Sequence, residues 1–145
     1  MLRFTYAVKL TPDRKDEGYV VTCRDIPEAI TQGETSDDAR AEAEGALQAA
    51  IEGRIEDGLE IPAPSHPKRG ERLATTPITT ALKAAVCIAL RDSGLSKSEF
   101  ARRMHVNEKE ARRMLDPRHS TRGTRPKSRL SNAPLRHLAG ALRLK

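Results

Sequence analysis

Two groups of residues in this chain have side chains suited to chemistry. The first lies in the second half, where Ser96, Lys97, Asn107, Glu108, Lys109, Arg112 and Arg113 are followed by Arg118, His119, Arg122, Arg125, Lys127 and Arg129. Arginine and asparagine can form paired hydrogen bonds to the edges of guanine and adenine. The cations that follow suit phosphate contacts, which set affinity and salt dependence rather than sequence choice. The second group is acidic and lies in the first half: Asp13, Asp16, Glu17, Asp25, Glu28, Glu34, Asp37 and Asp38. Asp13, Asp16, Glu17, Asp25 and Glu28 are the carboxylates to weigh as metal ligands of a nuclease, which needs several of them converging within a few Å. Here Asp13, Asp16 and Glu17 share one polar loop, where solvation is the ordinary role of a carboxylate. No catalytic residue, metal site or cofactor is therefore expected, and the chain is not read as an enzyme. His66, His105, His119 and His137 show no zinc spacing, and no Gly-rich phosphate loop is present. Cys23 and Cys87 lie far apart without ligand-spaced histidines, which predicts free thiols in a reducing cytoplasm. No apolar run is long enough to span a membrane, and nothing resembles a signal peptide.

The net charge of +6 hides a division. Residues 1–65 hold 7 Lys+Arg and 14 Asp+Glu, a net −7, whereas residues 66–145 hold 19 Lys+Arg and 6 Asp+Glu, a net +13. An asymmetry of this size predicts two modules with different partners. Aromatic residues make up only 3% of the chain, so both cores must rely on Ala, Leu, Ile and Val.

The basic residues need a scaffold, and residues 95–116 contain two consecutive helix starts. Ser96 precedes Glu99, and Asn107 precedes Glu110, at the capping-box spacing; Leu95 with Phe100, and Val106 with Ala111, are placed as hydrophobic staples. The first helix runs from Lys97 to about Met104 and the second from Glu108 to Leu115, before Pro117. Two short helices joined by so tight a turn cross steeply, which is the helix-turn-helix arrangement. Ala101 falls where the helices approach, and Phe100, Met104, Val106, Ala111, Met114 and Leu115 are predicted to face inward. Glu108, Lys109, Arg112 and Arg113 then face outward on the helix that would read the major groove. Leu82, Ala85, Val86, Ala89 and Leu90 predict a preceding helix ending near Gly94, and Leu135, Leu138, Ala139 and Leu142 a closing one.

The acidic half has a different pattern. Leu2, Phe4, Tyr6, Val8 and Leu10 alternate with more polar residues, predicting a strand, and residues 11–18 a hairpin loop. Tyr19–Cys23 predicts a second strand and Ala29–Gly33 a short third. A helix capped by Thr35 and Asp38 follows, with Ala39, Ala43, Ala46, Leu47, Ala50 and Ile51 on one face. Gly58 or the earlier Gly53 ends it. Leu59–Ile61 is expected to return as a last short strand. Pro62, Pro64, Pro67 and Gly70 predict a linker over residues 62–77. The expected organisation is thus an α+β domain at 1–61, a linker at 62–77 and an all-α helix-turn-helix domain at 78–145.

The second half resembles the helix-turn-helix of phage-repressor-like regulators. Lys97 stands where that group often has Gln. His105 stands at the turn position where it often has Gly, and histidine tolerates a left-handed backbone better than most residues. The first half resembles the HicB antitoxins, through Phe4-Thr5-Tyr6-Ala7-Val8, Glu17-Gly18-Tyr19-Val20-Val21, Asp25-Ile26-Pro27-Glu28-Ala29 and Gln32-Gly33-Glu34-Thr35-Ser36-Asp37-Asp38-Ala39. Glu28 replaces the Gly that commonly follows Pro in that family. The resemblance implies a partial ribonuclease-H-like fold without activity. It also implies a HicA toxin as partner, a small RNA-cleaving protein with a catalytic His, and operator DNA bound by the C-terminal domain. An RNA-gripping toxin should be basic, and the −7 domain complements such a surface. Asp25, Glu28, Glu34, Asp37 and Asp38 are the expected toxin-facing residues. A homodimer is expected, since one reading helix covers only a half-site, and a hetero-oligomer with the toxin follows. The alternative is a stand-alone dimeric repressor whose acidic domain senses a ligand or protein.

Overall fold

The computed structural model describes residues 4–119. The chain is α+β and forms two compact units, the first ending at Ala84 and the second beginning at Ala85. The first unit opens with β1 (Thr5–Asp13) and β2 (Gly18–Cys23), an antiparallel hairpin, followed by β3 (Ile30–Gly33). Next come α1 (Ser36–Glu56) and β4 (Glu71–Thr75). The four strands form one antiparallel sheet in the order β3-β2-β1-β4.

The predicted first strand is present but shifted. β1 continues through Pro12 to Asp13, and Tyr6, Ala7 and Val8 are all buried. The alternation expected of a half-buried strand fails there, because successive side chains face opposite sides of the sheet and Ala7 is buried as well as Tyr6 and Val8. The capping prediction for α1 holds: Thr35 Oγ1 accepts from the amide of Asp38 at 3.1 Å. The Asp38 carboxylate reaches one residue beyond the cap and accepts from the amide of Glu34 at 3.0 Å. Ala39, Ala43, Leu47, Ala50 and Ile51 form the buried stripe of α1 against the sheet. The helix passes through Gly53 and ends at Glu56; Gly58, with φ +65°, completes its stop in a left-handed conformation that suits glycine.

Two expectations for the following stretch are corrected. Leu59–Ile61 is not a strand, although Ile61 is buried. The fourth strand lies instead at Glu71–Thr75, inside the segment read as a linker, with Tyr6 opposite Ala74. The rest of that segment is also tied to the sheet. The Tyr6 hydroxyl donates to the carbonyl of Pro62 at 2.9 Å, and Ser65 bonds to Asp25. Prolines and charges mimic a linker locally, but backbone pairing with β1 is a long-range property.

α2 (Ile78–Ser93) runs through the division between the units. Within the first unit Thr80 and Ala84 are buried, and the Thr80 hydroxyl donates to Glu52 at 3.1 Å. Leu82, expected on the buried face, is exposed. In the second unit Val86 and Leu90 pack against a core of Phe100, Ala101, Met104 and Ala111, joined by Val106, Met114 and Leu115. That core belongs to α3 (Lys97–Arg103) and α4 (Glu108–Leu115), whose bounds match the predicted helix pair. Among the described residues the two cysteines form no disulfide. The predicted closing helix, and the basic loop from residue 120 onward, lie outside the described residues.

Candidate nucleic-acid and partner-binding surfaces

Each short helix of the second unit is fixed by its cap. Ser96 Oγ accepts from the amide of Glu99 at 3.1 Å, and Asn107 Oδ1 from that of Glu110 at 2.8 Å. Both caps have extended backbone, which points the side-chain oxygen back at the helix amides. Between the helices His105 adopts φ +54°, the left-handed turn its position in the sequence implied. Ala101 and Ala111 are both buried, so the helices meet through small side chains.

That packing turns the other side of α4 outward. Glu108, Lys109, Arg112 and Arg113 are exposed together, as the sequence pattern predicts. Glu108 accepts from the Ser98 hydroxyl at 3.0 Å and lies 3.9 Å from Arg112. With both side chains more than 60% exposed, that ion pair is weak and leaves the guanidinium available to another anion. Ser96 and Asn107 are exposed, but their oxygens are engaged as caps, so Asn107 has its –NH2 to offer rather than its carbonyl. Lys97, Arg118 and His119 are exposed as well, while Arg122 lies outside the described residues. The sequence reading missed Arg102 and Arg103, both exposed in the last turn of α3. Their signal was present in the local charge. Cations there complement the negative end of the helix and extend the basic surface.

The acidic candidates of the first unit separate into different roles. Asp25 is a structural carboxylate. Its Oδ2 accepts from the Ser65 amide at 2.9 Å, its Oδ1 from the Ser65 hydroxyl at 2.6 Å, and its side chain is only 9% exposed. Glu28 is more open, yet both its oxygens bond to Arg54, whose Nη1 also donates to the carbonyl of Glu60 at 2.6 Å. The hydrogen bonds from Arg54 hold the Glu28 carboxyl below the usual range. Arg24 does the same to Glu71 through two hydrogen bonds, of 3.2 and 3.1 Å. Burial pushes the Cys23 thiol up, away from the reactive thiolate.

Glu34, Asp37 and Asp38 remain exposed at the start of α1. Glu34 and Asp38 join Asp13, Asp16, Glu17 and Glu42 around a hollow of about 350 Å³ between the β1–β2 turn and α1. The structure therefore gathers three carboxylates weighed as metal ligands, but sends Asp25 and Glu28 to other partners. Among the described residues, no three His, Cys, Asp or Glu side chains converge closely enough to hold a metal ion. Glu42 was not predicted for this surface. Neither was a second groove, of about 650 Å³, along Ile30, Ala46, Ala50, Gly53 and Leu59.

Comparison with known proteins fits this two-part chain. Residues 5–85 match a family model described as the HicB-like antitoxin of bacterial toxin–antitoxin systems. The chain belongs to that antitoxin family. The match runs from β1 through β4 into α2, so it includes the strand hidden in the apparent linker. Antitoxin HicB 1 of Photorhabdus laumondii is 40% identical over 117 residues, covering 81% of this chain and 74% of the relative. Antitoxin HicB of Escherichia coli is 36% identical over 117 residues, covering 81% of this chain and 84% of the relative. Antitoxin HicB of Pseudomonas fluorescens is 29% identical over 121 residues, at 82% and 81% coverage. These alignments are longer than the family match and so reach into the helical half. The family is regulatory rather than enzymatic, and membership implies a toxin as partner. Among the described residues no helix is long and apolar enough to cross a membrane.

Proposed function

We propose that this antitoxin neutralises a HicA-type RNA-cleaving toxin with its acidic first unit and represses its own operon through its second. The first unit would cover the toxin's catalytic His or its RNA-binding face, and α4 would enter the major groove of operator DNA. The observation that carries the DNA-binding half is the pairing of buried Ala101 and Ala111 with outward Lys109, Arg112 and Arg113 on a capped helix. Small residues let two helices cross closely, and the close crossing commits the other face of α4 to solvent. The residues assigned to DNA are Ser96, Lys97, Asn107, Glu108, Lys109, Arg112, Arg113, Arg118, His119 and Arg122, with Arg102 and Arg103 added. Glu34, Asp37 and Asp38 are the acidic residues assigned to the toxin, with Glu28 at the margin of that surface.

The protein acts as a homodimer, because two reading helices are needed to cover two half-sites, and it forms a hetero-oligomer with the toxin. Co-expression with the adjacent toxin-sized reading frame tests the first half: the two proteins should co-purify, and RNA cleavage by the toxin should be suppressed. Titration against the upstream operator tests the second half. RNA cleavage by the purified chain with magnesium would overturn the antitoxin reading.

A further inference from the structure

The outer strand of the sheet borders two contrasting surfaces. β3 is terminal in the strand order, and among the described residues no strand pairs with its far side. At its first residue, Ile30 is 62% exposed, and Leu59 beyond the end of α1 is 53% exposed. Both open onto the groove lined by Ala46, Ala50 and Gly53, where the alanine-rich surface of α1 leaves room for a side chain from outside and the charged residues Glu28, Arg54 and Asp57 complete the lining. At the other end of the same strand, Gln32 and Gly33 border the acidic hollow with Glu34, Asp38 and Glu42. Four strand residues, about 13 Å of extended chain, thus lead from a mainly apolar groove to a cluster of carboxylates.

We infer that this β3–α1 strip is where the toxin docks, as an extended segment with an apolar side chain followed by Lys or Arg. The inference rests on the antitoxin reading and gives it a surface. The segment adds to the sheet beside β3, so that main-chain hydrogen bonds supply affinity and alternate side chains supply specificity. Its apolar side chain fills the Ile30–Leu59 groove, and its cation enters the acidic hollow. Charge selects the occupant. A second copy of this unit would bring a net −4 over residues 1–84, with 11 Lys+Arg and 15 Asp+Glu, against the same charge, whereas a basic RNA-gripping protein is complementary. Charge also selects the edge. At the opposite side of the sheet, β4 exposes Leu73 but is flanked by exposed Lys68, Arg69 and Arg72, which repel a basic partner.

The test titrates the full chain with the toxin that co-purifies with it, carried as a cleavage-dead variant. Ile30→Asp and Leu59→Asp should each weaken binding by about 100-fold, as loss of a central apolar anchor does. Leu73→Asp should stay within about twofold of the parent, as for a surface change away from an interface. Circular-dichroism melts show whether each variant is folded. Independently of any variant, hydrogen exchange on the unmodified complex should show protection of β3 amides and none new in β4. Parent-like binding by folded Ile30→Asp and Leu59→Asp, or protection confined to β4, overturns the docking surface and leaves the antitoxin reading standing. Loss of self-association with unchanged toxin binding assigns the strip to a second copy and overturns it equally. A parent chain that does not bind the toxin at all overturns the antitoxin reading and this surface with it.

Discussion

Ser65 occupies both oxygens of the Asp25 carboxylate, through its amide at 2.9 Å and its hydroxyl at 2.6 Å. The pair spans 40 residues of sequence and ties the segment after α1 back to the end of β2. Asp25→Ala should therefore lower the unfolding free energy by about 1.5–3 kcal/mol, the range for hydrogen bonds to a charged group. Urea unfolding would measure it. Toxin affinity of the folded fraction should stay near that of the parent, whereas Glu34→Lys, at an exposed position, should weaken toxin binding with little change in stability.

Gly33 allows α1 to start against the sheet. A Cβ there would stand 2.3 Å from the amide nitrogen of Ala39 and 2.5 Å from its α-carbon. Backbone atoms in the first turn of a helix cannot step aside as a flexible side chain can. Gly33→Ala should destabilise the first unit by about 1–3 kcal/mol, the usual cost of overpacking. It should also reduce toxin binding, because α1 and β3 would separate. Thermal melts of Gly33→Ala and of the control Gly45→Ala, whose Cβ meets nothing, would isolate the steric effect.

His105 holds φ +54° between α3 and α4. A β-branched residue is far less tolerant of that conformation, so His105→Val should destabilise the second unit by about 1–2 kcal/mol. His105→Gly removes the steric cost while adding freedom to the unfolded chain, so its effect should be smaller and of stabilising sign. Differential scanning calorimetry of the two variants provides the comparison.

The carboxyls of Glu28 and Glu71 are both held below their ordinary range, by hydrogen bonds from Arg54 and Arg24. Because the folded values lie below the unfolded ones, the stabilisation is fully present above about pH 5. It is lost as the pH falls through the folded values and both groups take up protons. Urea midpoints should be level from neutral pH down to that point and then fall. Arg54→Met should reduce the acid-side slope, and Glu28→Gln should reduce it by a similar amount, as expected if the two act as one pair.

On the operator, Arg112→Ala and Arg113→Ala should each weaken binding by about 1–3 kcal/mol where a bidentate base contact is lost. Arg122→Ala should weaken all DNA alike and lower the salt slope by about 1, as expected for one phosphate contact. Fluorescence anisotropy across a salt series separates the two kinds of contact. Parent-like operator binding by Arg112→Ala, Arg113→Ala and their double variant would move the reading surface off α4.

The sequence by itself determined the features whose cause lies within a few residues. Ser96 and Asn107 cap α3 and α4, Thr35 caps α1, and Gly58 and His105 take left-handed turns, because each responds to neighbours at fixed spacing. The outward basic face of α4 was legible for the same reason, since helical periodicity places Lys109, Arg112 and Arg113 opposite Ala111. Tertiary structure decided where distant segments meet. Glu71–Thr75 becomes a strand only because β1 offers it an open edge, and nothing local separates it from the Pro-rich stretch before it. Asp25 and Glu34 are the same kind of charge in sequence, yet one is bound to Ser65 and the other faces solvent. The groove along Ile30, Ala46 and Leu59 exists only once α1 lies across β3. Local patterns fix caps, turns and helix faces, while strand pairing and the partner of each charge depend on which remote surfaces can be buried together.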